Sequence, residues 1–273
     1  RRAVDEMRGQ RRRAADEARR RVEADRGAGR EQDGRAVRGR ADIDPGRSIE
    51  ILPLAGRAGA VRGHRDPGKA EDWAEIASLW GVPDLPGKRG HTAVEMFEAA
   101  ARGEIKALWI ACTNPAQSMP DQATVRQALE RCELVVLQEA FAHTATARYA
   151  DYLLPASTWG EKEGTVTNSE RRISRVRQAV PAAGESRADW RIVSDIAALI
   201  DAGLDRKPRI AATTAEDLWL EHREATRGRD LDITGLSWAT LDTEGPQQWP
   251  FVSGPTARLY TDGRFATADG RAR

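Results

Sequence analysis

The feature that most constrains this fold is an alternation of short apolar runs and helical segments in the middle of the chain. Residues 105–112 and 133–138 are mostly apolar, and a third short run follows at 152–154. Continuous apolar runs of this length are typical of strands that are buried on both faces of a parallel sheet. Because helical patterns separate them, the sequence predicts an α/β fold with a doubly wound, mostly parallel sheet.

The best-defined of the intervening helices is predicted over residues 92–102. Thr92 and Glu95 form a capping-box pair at its start, and Gly103 follows its last residue. Its predicted apolar stripe consists of Val94, Phe97 and Ala101. Further helices are predicted at 121–131, 144–149, 189–202 and 214–226. The predicted apolar face of helix 189–202 consists of Trp190, Val193, Ile196, Ala197 and Ile200.

Polar residues follow two of the predicted strands where each strand ends. Asn114 comes after the first strand, and Gln138 and Glu139 close the second. Ligands of open parallel sheets bind beyond the carboxyl ends of the strands. An amide suits a nucleotide edge or a phosphate oxygen, and a carboxylate suits ribose hydroxyls. The alternative is structural: Asn114 caps the next helix, and Glu139 is only a polar strand terminus.

Two charged residues further along the chain are candidates for the same site. Lys162 is a compact cation in the turn-prone segment GEKEG (160–164), where it is placed to meet a pyrophosphate. The alternative for Lys162 is a solvated surface lysine. Asp189 opens the helix predicted at 189–202, and the residues alone indicate only an N-terminal cap of that helix. Its candidacy as a binding residue comes from the family resemblance given below.

The sequence offers no arrangement suited to a metal. Cys112 and Cys132 are the only cysteines, and the four histidines are scattered without a ligand-spaced pair. Cys112 is expected to be a small buried thiol at a strand end rather than a ligand. Met119 and Trp159 are expected to be packing residues. We therefore expect neither a metal ligand nor a catalytic side chain in this chain.

Overall charge and hydropathy limit the partners and the cellular setting that the sequence predicts. The 43 basic and 42 acidic residues give a net charge of +1, so charge favours no nucleic-acid or membrane partner. No apolar run is long enough to cross a bilayer, and no charged-then-apolar leader opens the sequence. With only two cysteines, a reducing, cytoplasmic setting is expected.

The segment from Leu108 to Val180 resembles the dinucleotide-binding domain of the molybdopterin oxidoreductases, and most of all that of the bacterial assimilatory nitrate reductases. The resemblance is carried by the polar clusters at 113–115, 138–139 and 161–165, and the segment TVTNSERRISR (165–175) favours the nitrate reductases. A further similar segment, GPQQWPF, lies at 245–251. Formate dehydrogenase-type enzymes share part of this pattern, and they are the nearest alternative.

The resemblance implies an activity, a cofactor and partners. The implied activity is reduction of nitrate to nitrite by oxygen-atom transfer at a molybdenum bis(molybdopterin guanine dinucleotide), with a 4Fe-4S cluster supplying electrons. The implied electron donor is ferredoxin, flavodoxin or an NAD(P)H-linked reductase subunit. The molybdenum ligand and the cluster cysteines of this family lie in earlier domains, so we expect a fragment that is inactive alone. The residues expected to hold one guanine dinucleotide are Asn114, Gln138, Glu139, Lys162 and Asp189.

Residues 1–63 differ in composition from the rest of the chain. They contain 17 arginines but no lysine and no aromatic residue, and the first lysine is Lys69. Three interpretations stay open: a natural disordered basic arm, an arm that binds RNA or DNA, and a stretch translated out of frame. A basic disordered arm on a cofactor-free binding module is the non-enzymatic alternative. The predicted organisation is this arm, a cofactor-binding domain at 64–204 and a helical, loop-rich extension at 205–273.

Overall fold

A computed structural model describes residues 50–51, 65, 69–82, 90–265, 267 and 269–272. The predicted arm, apart from Glu50 and Ile51, lies outside these ranges. The predictions about the disorder, the nucleic-acid binding and the reading frame of this arm therefore concern residues outside the described ranges. All of the described residues belong to one unit of the chain that begins at Arg47.

A parallel sheet lies at the centre of the first half of this unit. Its strands are ordered β1 (Glu50–Ile51), β2 (Ala107–Ala111), β3 (Leu134–Glu139) and β4 (Tyr152–Pro155). All neighbouring pairs are parallel, and β2 and β3 pair along the full length of β2. The predicted α/β class with a mostly parallel sheet is therefore confirmed.

Helices separate these strands along the chain, and two of them, Ala70–Leu79 and Pro115–Ser118, were not predicted. The helices are α1 (Ala70–Leu79), α2 (Ala93–Arg102), α3 (Pro115–Ser118) and α4 (Gln122–Arg131), with a 3₁₀ turn at Thr146–Tyr149. The bounds of α2, α4 and the 3₁₀ turn differ from the predicted ones by one or two residues.

The predicted cap of α2 is confirmed, but one member of its predicted stripe is not buried. The Thr92 hydroxyl accepts from the Glu95 N–H, and the Glu95 carboxylate accepts from the Thr92 N–H. Phe97 is buried, whereas Val94 is 43% exposed. The buried face of α2 is centred near Ala100, whereas the predicted stripe was drawn through Val94. Val94 therefore lies at the edge of the buried face, in the first turn of the helix.

The first hydrophobic core lies between the parallel sheet and helices α2 and α4. Ala99, Ala100 and Ala128 are fully buried, and their small side chains let the two helices approach closely. Leu108, Ile110, Val135 and Leu137 project from β2 and β3 into the same core. Met119 packs against this core, as expected for a packing residue.

A second, antiparallel sheet was not predicted. It consists of β5 (Gly164–Thr167), β6 (Arg172–Val176) and β7 (Gln247–Gln248). The extension at 205–273, predicted to be helical and loop-rich, contains β7 and a short helix, α7 (Trp238–Thr243). Alternation is weak in such short, polar strands, so their pairing depends on contacts that local sequence does not show.

A second hydrophobic core joins this sheet to the C-terminal helices. Ile173 of β6 packs in one cluster with Trp219 of α6 (Ala215–Ala225) and Trp238 of α7. This core therefore includes residues on both sides of the domain boundary predicted at 204/205, and that boundary stays a prediction. The other buried members are Ala215, Ile233, Leu236, Leu241 and Phe251.

Helix α5 (Asp189–Gly203) lies where the sequence predicts it, but its predicted apolar face is only partly covered. Trp190 packs against the second core, whereas Val193 is 42% exposed and Ile200 is 47% exposed. Helical periodicity identifies residues that share a face, but it does not show what covers them. Within the described ranges, the helices fall short of the length and hydropathy that a membrane span requires.

Candidate functional site

The parallel pairing of β2 and β3 brings two polar chain segments to one edge of the sheet. Ala111 lies opposite Gln138, and the N–H of the next residue, Cys112, donates to the Gln138 carbonyl oxygen at 3.1 Å. Side chains that follow the two strands therefore begin from neighbouring positions. This is the edge at which the sequence predicts ligand binding.

Asp189 and Lys162 form an ion pair at this edge. The Lys162 ammonium lies 2.6 Å from Asp189 Oδ2, and the two side chains are 24% and 29% exposed. Burial acts to raise the pKa of Asp189, but hydrogen bonds from Lys162, Gln138 and Cys112 outweigh it and hold the pKa below its ordinary value. The carboxylate therefore stays ionised at neutral pH.

Gln138 places a buried amide beside this carboxylate. Its Nε2 donates to Asp189 Oδ1 at 2.8 Å, and the residue is 1% exposed. Its Oε1 is buried and has no hydrogen-bond partner among the described residues. A buried amide oxygen without a donor is unfavourable, so this site is suited to a ligand or water that supplies an N–H or O–H.

Cys112 was expected to be a buried packing thiol, and this prediction was wrong. The residue is exposed, and its thiol donates to Asp189 Oδ1 at 3.2 Å. Its backbone adopts a left-handed conformation, with φ at 57°, as the chain leaves β2. Partial shielding of the thiol, together with the nearby carboxylate, raises the Cys112 pKa to about 11. The thiol is therefore protonated at neutral pH and acts as a donor.

Asn114 follows β2 but faces a different neighbour. Its Oδ1 accepts from the Thr146 N–H at 3.0 Å and from the Thr146 hydroxyl at 2.7 Å, while its Nδ2 donates to Gln117 Oε1 at 2.8 Å. The residue occupies the N-cap position of α3, yet its side chain makes no capping hydrogen bond. Because the carbonyl oxygen is occupied, the second Nδ2 hydrogen is the group that Asn114 offers to a ligand.

Glu139 ends β3 with its carboxylate folded back on the following loop. Its Oε1 accepts from the Ala140 N–H at 2.8 Å and from the Phe141 N–H at 3.4 Å. Within the described ranges no donor contacts its second carboxylate oxygen, which can therefore accept a hydrogen bond from a ligand. The structure therefore brings Gln138, Lys162 and Asp189 into direct contact, whereas Asn114 and Glu139 lie at the same strand ends with contacts of their own.

Trp159 and Arg175 contact Lys162 or the turn that carries it. Trp159 was expected to be a packing residue, and no role was predicted for Arg175. Trp159 is 63% exposed rather than packed, and its ring centroid lies 5.7 Å from the Lys162 ammonium, within the range of a cation–π contact. The Arg175 guanidinium lies 3.5 Å from the Trp238 ring centroid and donates to the Gly164 carbonyl oxygen at 2.9 Å. Arg175 thus anchors the start of β5, two residues after Lys162.

The sequence contains one indication that Cys112 belongs to this site and none that Arg175 supports it. Cys112 directly follows β2 at the predicted edge of the sheet, and its position in the sequence is enough to place it there. The role of Arg175 depends on α7, which is distant in sequence. Within the described ranges, no group of three or more histidine, cysteine, aspartate or glutamate side chains is arranged to hold a metal ion.

Comparison with known proteins relates this site to a family. A family described as molybdopterin oxidoreductase matches residues 18–199. The chain is 38% identical over 221 residues to the assimilatory nitrate reductase catalytic subunit of Bacillus subtilis, covering 79% of this chain and 30% of that protein. It is 35% identical over 211 residues to the F420-dependent formate dehydrogenase subunit alpha of Methanocaldococcus jannaschii, covering 75% and 29%.

A solved structure shares the fold. Acetylene hydratase from Pelobacter acetylenicus superposes with a TM-score of 0.50 at 22% identity, over 65% of this chain and 23% of that one. The chain thus spans less than a third of the length of these relatives. The family match begins at residue 18, inside the arginine-rich segment 1–63, and continues through β2, β3 and most of α5. From this match, the chain belongs to the molybdopterin oxidoreductases.

Proposed function

We propose that this chain holds one guanine dinucleotide of a molybdenum bis(molybdopterin guanine dinucleotide) within a larger nitrate-reducing enzyme. The observation that supports this most directly is the contact of Asp189 with both Lys162 and Gln138 at the carboxyl edge of the sheet. Asp189 accepts N–H groups of the guanine, and Lys162 neutralises the pyrophosphate. Asn114 donates to a nucleotide oxygen, and Glu139 accepts from a ribose hydroxyl.

The chemistry of these side chains fits such a ligand. The Asp189 pKa is held below its ordinary value, so its carboxylate is ionised and ready to accept. The buried Gln138 Oε1 lacks a donor among the described residues, and a nucleotide N–H or O–H satisfies it. The exposed Trp159 ring beside Lys162 offers an apolar surface at the mouth of the site.

The residues of this chain bind and orient; they do not carry out the redox step. When bound, the molybdenum cofactor supplies oxygen-atom transfer from nitrate, and an iron–sulfur cluster in other parts of the parent enzyme supplies electrons. We further propose a cytoplasmic enzyme that receives electrons from ferredoxin, flavodoxin or an NAD(P)H-linked reductase subunit. Similarity to an assimilatory nitrate reductase supports these assignments.

The second candidate function is that of a formate dehydrogenase-type enzyme. It is favoured by the 35% identity to a formate dehydrogenase alpha subunit.

The first test of either function is titration of the 273-residue chain with GDP, which carries the guanine and the pyrophosphate of the cofactor. Saturable binding that Asp189→Ala abolishes supports the proposed site.

Two further measurements separate the alternatives. Salt-sensitive RNA binding that is lost on deleting residues 1–60, with no GDP binding, would favour the non-enzymatic binding module. We expect the chain alone, even after incubation with extracted cofactor, to form no nitrite from nitrate above background. Nitrite formation by the chain alone would contradict its assignment as a cofactor-holding part of a larger enzyme. Assays of the whole parent enzyme with nitrate and with formate distinguish the first candidate from the second.

A further inference from the structure

The three donors around Asp189 are distributed unevenly over its two oxygens. Oδ1 accepts from Gln138 Nε2 at 2.8 Å and from the Cys112 thiol at 3.2 Å, whereas Oδ2 accepts from Lys162 at 2.6 Å. A carboxylate has about four lone-pair sites, roughly two on each oxygen. Within the described part of the chain, Oδ1 is therefore saturated, and Oδ2 keeps one site for a further donor.

A guanine base needs one acceptor site on each oxygen. Its two parallel N–H groups donate to the two oxygens of one carboxylate, in the geometry of a bidentate pair. The first N–H takes the remaining site on Oδ2. The second N–H has a place on Oδ1 only if Gln138 or Cys112 gives up its hydrogen bond.

Of these two donors, Cys112 holds Oδ1 less firmly. A thiol is a weak donor, and Cys112 is exposed. Gln138 is 1% exposed, and its amide is held in place by the surrounding protein. The orphaned Gln138 Oε1 is an independent sign that the cluster is built to meet a polar ligand. Because the Cys112 pKa is raised to about 11, its thiol keeps its proton at neutral pH.

We propose that Cys112 is the exchangeable partner of Asp189, and that its thiol yields Oδ1 to the second N–H of a guanine base. Cys112 is then a specificity-determining residue of the nucleotide site, because a base with a single N–H on that edge does not compete with it. Hypoxanthine lacks the exocyclic amino group of guanine, so its one N–H takes the open site on Oδ2. This inference rests on the proposed function.

The test measures the affinity of the 273-residue chain for GDP and IDP by calorimetry. Cys112→Ala leaves Oδ1 open to guanine, so GDP should bind about 3- to 10-fold more tightly, the range expected for one modest hydrogen bond. IDP affinity should stay within about twofold, because its base does not displace the thiol. Cys112→Ser supplies a stronger donor and should weaken GDP binding relative to wild type. Cys132→Ala, in the first core, is the matched control and should change neither affinity.

The outcomes separate this inference from the proposed function. Unchanged or weaker GDP binding by Cys112→Ala, with wild-type thermal unfolding, would overturn the exchange and would make Cys112 a fixed support of Asp189. An equal gain for GDP and IDP would also overturn it. If the wild-type chain binds GDP but Cys112 substitutions change nothing, only this inference fails. If the wild-type chain binds no GDP, the proposed function fails, and the inference fails with it.

Discussion

The Lys162 ammonium lies 2.6 Å from the Asp189 carboxylate, although the two residues are 27 positions apart in sequence. Lys162 precedes the antiparallel hairpin, and Asp189 begins α5. Their contact therefore depends on how the hairpin is held against the edge of the parallel sheet.

We expect Lys162→Ala to weaken GDP binding by about 10- to 100-fold, the range for loss of one charge-assisted hydrogen bond. Guanosine, which lacks the pyrophosphate, should lose much less. Calorimetric titration with both ligands measures the difference. Lys106→Ala is a matched control, because Lys106 forms an exposed pair with Glu133 at 3.7 Å, and it should leave GDP affinity unchanged. Equal losses for GDP and guanosine would place Lys162 away from the phosphates.

The depressed pKa of Asp189 predicts a pH-dependent contribution to stability. In the folded chain this pKa lies below its ordinary value of 3.8. The contribution is fully present above 3.8 and is lost as the pH falls through the folded-state pKa. Urea denaturation of wild type and Asp189→Asn should show a difference in unfolding free energy at pH 7 that disappears at low pH. A difference that does not change with pH would mean that the carboxylate charge contributes nothing.

The raised pKa of Cys112 predicts slow alkylation. With a pKa of about 11, the thiolate fraction at pH 8 is roughly two orders of magnitude below that of an ordinary cysteine. Asp189→Asn removes the carboxylate that disfavours the thiolate, so it should speed iodoacetamide labelling of Cys112. Mass spectrometry distinguishes Cys112 from buried Cys132. Labelling as fast as that of a free thiol in wild type would contradict the contact with Asp189.

Arg175 should matter more to stability than its neighbour Arg177. The Arg175 side chain is 8% exposed and pairs with Glu163 and Asp242, while its guanidinium lies over Trp238. We expect Arg175→Ala to lower the unfolding free energy by about 2 kcal/mol, from lost stacking and hydrogen bonds.

Arg177→Ala is the control for Arg175→Ala. Arg177 is 59% exposed and pairs with Asp242 at 2.5 Å, so its loss should change stability by less than about 1 kcal/mol. Chemical denaturation of both variants measures the contrast. Equal effects would show that the Arg175–Trp238 stack does not stabilise the hairpin. Weaker GDP binding by Arg175→Lys at unchanged stability would show that Arg175 also positions the Lys162 turn.

The sequence by itself predicted three strands of the parallel sheet, most of the helices between and after them, and the edge at which we propose that a ligand binds. These features follow from local patterns: apolar runs of strand length, the Thr92 cap and the polar residues at strand ends. Such patterns depend on neighbours within a few positions, so a single sequence is enough to show them. Gln138 was identified in this way, whereas Lys162 and Asp189 became site candidates mainly through the resemblance to a family.

Only the tertiary structure decided which of these side chains meet and which others join them. In the folded chain the Cys112 thiol donates to Asp189, and the Trp159 ring lies exposed beside Lys162. The Arg175 guanidinium stacks on Trp238. Each of these contacts joins separate elements, and its geometry depends on how sheets and helices pack. Local sequence specifies the elements but not their mutual placement. Contacts between distant residues therefore define the site, although its individual residues were visible in the sequence.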